Sequence, residues 1–138
     1  MTDRSIVLQK LAVLRDHVGR VRRRRPEAPA ALSRDLDLQD AIALSLLVAI
    51  QEAVDIAFHI VSDEAWGVPA SYADVFGLLA NRGVIESELA ARLAQAAGLR
   101  NRIAHGYAGL DATRLWSEIP DGLAALDEYA AAIARFVA

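Results

Sequence analysis

Residues 38–64, LQDAIALSLLVAIQEAVDIAFHIVSDE, decide the architecture. Apolar residues recur at helical spacing but are not confined to one stripe, which is the pattern of a central helix covered on several sides. Its longest apolar stretch, Ala41 to Ile50 broken by Ser45, is too short to cross a bilayer and lies between Asp40 and Glu52. Working back from it, Val7, Leu11, Leu14, Val18 and Val21 follow spacings of four and three, the seam of a bundle helix. Pro26 and Pro29 stop that helix and open a polar connection through Asp37. Working forward, Trp66-Gly67-Val68-Pro69 breaks the chain and Ser71 caps a short helix through Ala80. Gly83 then supplies a left-handed C-cap. From Glu86 or Ser87 another helix buries Leu89, Leu93, Ala96 or Ala97, and Ile103, until Gly106 and Gly109 end it. Asp111 caps a last segment with the seam Ile119, Leu123, Leu126, Ala130, Ile133 and Val137, where Pro120 predicts a kink or a fresh start. No segment alternates as a strand does. The prediction is all-α: one domain over residues 1–138, an antiparallel up-and-down bundle of four main helices plus a short extra one.

Composition narrows the chemistry. Cysteine is absent, which removes disulfides, thiol nucleophiles and thiolate metal sites. Met1 to Asp16 is charged and amphipathic, without the apolar core of a signal peptide, so a cytoplasmic protein with no membrane role is expected. A net charge of −3 argues against non-specific coating of nucleic acid and leaves room for one local basic site. Of the 15 basic side chains 14 are arginine, and five stand in Arg20-Val21-Arg22-Arg23-Arg24-Arg25. That run is either a solvated helix end, where cations complement the dipole, or a phosphate-positioning patch for RNA or an acidic protein.

One segment reads as chemistry: Arg100-Asn101-Arg102-Ile103-Ala104-His105-Gly106-Tyr107. A guanidinium that holds phosphate oxygens beside an imidazole that moves protons near neutral pH suffices for metal-free phosphodiester cleavage of RNA, whose 2′-hydroxyl is the nucleophile. A random shuffle of this composition gives roughly 0.3 Arg-x4-His pairs, and roughly 0.01 once a tyrosine two residues later is required, so the extended pattern is the specific one. Residues five apart on a helix stand about 140° apart, so Arg100 and His105 do not share a face, whereas Asn101 and His105 do. Either the helix ends early enough to redirect the imidazole, or a two-fold dimer sets one protomer's arginine against the other's histidine. Helix-terminal placement alone is the plainer reading of His105.

Ser45, Glu52 and His59 repeat every seven residues, with Asp55 beside them. The stripe is a solvated or internally satisfied polar strip, or it adjoins the Arg100–His105 segment, with Glu52 and Asp55 orienting an arginine or histidine there. Metal catalysis fits poorly. The residues three before His17, His59 and His105 are Leu14, Ile56 and Arg102, not the glutamates of a di-iron bundle, and no phosphate loop or nucleophile elbow is present.

Arg100-x4-His105-x-Tyr107 resembles the signature of the HepT-like group of the HEPN superfamily. Gly98-Leu99-Arg100-Asn101, Val68-Pro69-Ala70-Ser71-Tyr72 and Gln51-Glu52-Ala53-Val54-Asp55-Ile56-Ala57-x-His59 extend the likeness over nearly the whole chain. The resemblance implies a HEPN-like bundle acting as the toxin of a toxin–antitoxin pair, a homodimeric RNase with Arg100 and His105 catalytic. Asn101, Arg102, Glu52 and Asp55 would support them. It also implies an MntA nucleotidyltransferase as antitoxin, which uses ATP to place AMP on Tyr107; the chain itself needs no cofactor. A phosphate there would fill the anion site and repel RNA. The alternative is a non-catalytic subunit that binds nucleotide or substrate for that nucleotidyltransferase.

Overall fold

The computed structural model describes residues 1–138 as six helices and no strand: α1 (Arg4–Arg24), α2 (Pro29–Ser33), α3 (Leu36–Asp63), α4 (Tyr72–Asn81), α5 (Ser87–Gly106) and α6 (Ala112–Val137). Side-chain caps start four of them. Asp3, Asp35, Ser71 and Asp111 each accept a backbone N–H of the first turn, which satisfies donors the helix leaves orphaned. Gly83 closes α4 at φ 75°, a conformation that a side chain disfavours.

Cross-helix contacts fix the topology. On α1 and α3, His17 meets Ser45 and Lys10 meets Glu52 and Asp55, so the two run antiparallel. Arg100 with Gln51 and Tyr107 with Asp40 set α5 antiparallel to α3. Arg102 with Glu118 and Arg92 with Glu128 do the same for α5 and α6. Arg4 with the Val137 carbonyl and Arg22 with Asp127 close the square between α1 and α6. The four long helices thus run up, down, up, down around one apolar core, with α4 covering α3 and α5. Every seam residue named from periodicity is buried. By length and composition α3 is apolar enough to cross a membrane, but most of that apolar window lies inside the bundle.

One element was not expected, and at Pro120 the fresh start is excluded. The connection after α1 holds α2, because Pro29 sits in the first turn of a helix, where its missing N–H costs nothing, and Leu32 turns inward to be fully buried. At Pro120 α6 neither stops nor restarts. Proline removes the donor for the carbonyl of Trp116, four residues back, and that carbonyl instead accepts from Arg25 Nε and Nη2 at 3.2 and 3.1 Å. The guanidinium also lies 3.9 Å over the Trp116 ring, whose indole N–H donates to the Pro26 carbonyl at 2.7 Å. One arginine of the basic run is therefore part of the framework. Arg20 pairs with Asp16 and Arg22 with Asp127, which leaves Arg23 and Arg24 exposed without a carboxylate partner.

Candidate functional site

The antiparallel register gathers the C-terminal half of α5 against the N-terminal half of α3. Arg100 is half-buried there. Its Nε donates to Gln51 Oε1 at 2.9 Å, its Nη1 donates to Asn101 Oδ1 at 3.1 Å, and its guanidinium carbon lies 5.7 Å from the Tyr72 ring. Gln51 in turn donates its amide to Asp55 Oδ1 at 2.8 Å, and Asp55 Oδ2 is 3.8 Å from Lys10 Nζ. This chain of contacts turns the glutamine oxygen toward Arg100 and fixes the rear of the guanidinium, while Nη2 stays unengaged and available to an anion.

His105 lies in the last turn of α5, exposed and without a hydrogen-bond partner in its own chain. The helix runs unbroken from Arg100 through His105 and leaves helical geometry only at Gly106 (φ −139°, ψ 32°), too late to redirect the imidazole toward the arginine. Within one protomer the two side chains keep the divergent directions that five residues of helix impose.

Tyr107 opens a single 3-10 turn, Tyr107–Gly109, and its hydroxyl donates to Asp40 Oδ1. Burial, the hydrogen bond to Asp40 and the Asp40 charge all favour the neutral phenol, in that order, and its pKa is pushed up to about 12. The residue nevertheless remains 41% exposed, open to a reagent from outside.

The other expected supports are placed differently. Arg102 turns to α6, where it grips both oxygens of Glu118, and Arg114 Nε holds one of those oxygens at 2.8 Å. Hydrogen bonding from Arg102 outweighs burial and holds the Glu118 carboxyl below the usual range. Arg102 is thus a clasp between α5 and α6 rather than a neighbour of Arg100. Glu52 faces α1, with Oε2 3.7 Å from Lys10 Nζ. Ser45 likewise meets His17 Nδ1 of α1 at 3.2 Å, whereas His59 sits 3.0 Å from Asp63 of its own helix without hydrogen-bond alignment. Only Asp55, through Gln51, connects the stripe to Arg100. Sequence reasoning gave no role to Gln51 or Asp40. Asp40, Leu44, Leu47, Gln51 and Asp55 share one face of α3 by their spacings of four and three, which was the available signal. No group of three or more His, Asp or Glu side chains is disposed to hold a metal ion.

Between the two polar ends of this face lies exposed apolar surface. Leu44 on α3 is 59% exposed, and Val13, opposite the next turns of α3 in the α1–α3 register, is 40% exposed.

The family described as Ribonuclease HepT-like matches residues 14–133. The chain is similar to the mRNA nuclease HepT of Shewanella oneidensis, 31% identical over 107 residues that span 78% of this chain and 80% of that one. Among solved structures it resembles a tri-AMPylated Shewanella oneidensis HEPN toxin in complex with MNT antitoxin, at TM-score 0.86 and 27% identity over 98% of this chain and 99% of that one. It also resembles a toxin–antitoxin crystallised with AMP-PNP, at TM-score 0.87 and 26% identity, covering 95% and 98% of the two chains.

Proposed function

Since this chain belongs to the HepT-like ribonuclease family, we propose that it is the toxin of a toxin–antitoxin pair, an endoribonuclease acting on mRNA or tRNA in the cytoplasm. The observation that carries this reading is the guanidinium of Arg100, fixed from behind by Gln51 and open in front, on the same uninterrupted helix as an exposed His105. Because that helix is regular, the reading assembles the site from two protomers. Leu44 and Val13 cover one another's copies, and the arginine of one chain stands opposite the histidine of its partner.

The cleavage needs no further group. His105 takes the proton of the 2′-hydroxyl, the oxygen attacks the adjacent phosphorus, and the 5′-oxygen of the next nucleotide leaves with the bonding pair and takes a proton from water, giving a 2′,3′-cyclic phosphate. Arg100 offsets the charge gathering on the non-bridging oxygens. Silencing follows from the same electrostatics. An MntA-type nucleotidyltransferase transfers AMP from ATP to Tyr107, and the added phosphate occupies the anion site beside Arg100 and His105.

Purified protein should cleave RNA without added metal, and its expression should arrest growth. His105→Ala or Arg100→Ala should each lower cleavage about 10²–10⁴-fold. Mixing the two inactive variants should restore part of the activity, because about half of the dimers formed are hybrids and every hybrid contains one intact site. Full activity of His105→Ala would remove His105 as the base and with it the Arg100–His105 site. Protein that cleaves nothing yet binds the nucleotidyltransferase through Arg100 would establish the subunit role instead.

A further inference from the structure

We propose that Asp40 is the general base for modification of its own chain, its carboxylate taking the phenolic proton of Tyr107 as AMP is transferred. The inference rests on the reading of Tyr107 as the acceptor and adds to it a catalytic group supplied by the substrate protein rather than by the transferase.

Two independent features of the fold lead there. Asp40 stands on the second turn of α3 and Tyr107 on the 3-10 turn after α5, 67 residues apart in sequence, yet the tyrosine hydroxyl is aimed at Asp40 Oδ1. No cation shares the carboxylate: the tyrosine is its one side-chain partner, and both residues are exposed to solvent. A carboxylate free of ion pairs and pointed at the atom that must lose a proton has the geometry required of a base.

The phenol's own chemistry gives such a base an advantage at neutral pH. With its pKa at about 12, only about 10⁻⁵ of Tyr107 is ionised at neutral pH, so transfer must begin from the neutral hydroxyl. As the tyrosine oxygen bonds to the α-phosphorus of ATP, the bond from that phosphorus to the bridging oxygen breaks and pyrophosphate leaves with the electron pair. The phenolic proton becomes strongly acidic as the new bond forms and passes to Asp40, which returns it to water. A weakly basic carboxylate suits this timing, because it accepts the proton only once the oxygen is already committed to phosphorus.

The rival role for Asp40 predicts the opposite sign. Two of the three causes that hold the phenol neutral come from Asp40, so a purely electrostatic carboxylate would retard ionisation, and removing it would speed modification.

The test follows AMP addition by intact mass, with ATP and the nucleotidyltransferase, on wild type, Asp40→Asn, Asp40→Glu and Tyr107→Phe. Asp40→Asn should slow the first addition about 100-fold at pH 7, and its rate should climb about tenfold per pH unit toward pH 9 as tyrosinate takes over. Asp40→Glu, which keeps the carboxylate, should stay within about tenfold of wild type. Tyr107→Phe should take up none. Asp40→Asn modified as fast as wild type, or faster, overturns the assignment while leaving Tyr107 as acceptor. Asp40→Asn and Asp40→Glu that both fail to form a complex with the nucleotidyltransferase on gel filtration also overturn it, in favour of docking. Normal labelling of Tyr107→Phe overturns the acceptor reading itself.

Discussion

At Tyr107 the surroundings act on both proton affinity and position, and each can be measured. The folded-state pKa lies above that of an exposed phenol, so folding favours the protonated form. That contribution is complete below about pH 10 and is lost as the pH rises through about 12. Denaturation curves should therefore show wild type more stable than Tyr107→Phe by about 0.5–1 kcal/mol at pH 9, a figure reduced for the ring's exposure. The gap should narrow toward pH 12; a constant gap would mean that the Asp40 contact does not form in solution. Arg100, His105 and Tyr107 were all legible as a spacing, because one of three histidines and one of three tyrosines stand at fixed distances from an arginine within eight residues of an Ala- and Leu-rich segment. Asp40 and Gln51 were not, since their partners are set by how α3 and α5 slide past one another. Glu52 was misplaced for the same reason: its nearest cation is Lys10 of α1, a helix the stripe could not identify from within α3.

Among the elements, α6 shows why a proline does not always end a helix. The Trp116 carbonyl loses its helical donor to Pro120 and gains Arg25 in its place. Arg25→Ala should cost about 1–3 kcal/mol in chemical denaturation, from an orphaned carbonyl and a lost cation–π contact. In a Pro120→Ala background, where residue 120 donates again, the same change should cost about 1 kcal/mol less. Equal costs in both backgrounds would show that the guanidinium does not replace the missing bond. The seams of the long helices could be read directly because periods of three and four report one buried face. The Pro120 repair could not, since it joins residues more than 90 positions apart. α2 was hidden for a different reason: Pro26 and Pro29 read as breaks, and only burial of Leu32 shows that the second one begins a helix.

For the whole molecule, the up-and-down bundle followed from pattern and short connections, whereas the proposed pairing of protomers rests on α5 staying helical as far as His105. Leu44→Asp should therefore leave helix content unchanged, convert a dimer to monomer in sedimentation velocity, and abolish RNA cleavage. Wild-type protein that sediments as a monomer while cleaving RNA would end the shared-site scheme. The framework also rations the charge at the end of α1. With Arg25 anchored to Trp116, and Arg20 and Arg22 occupied by aspartates, a strand of RNA crossing that end can displace counterions from little more than Arg23 and Arg24. On the proposed function, a cluster that reads as strongly cationic would thus grip weakly, and the choice of which phosphate is held would fall to the guanidinium of Arg100.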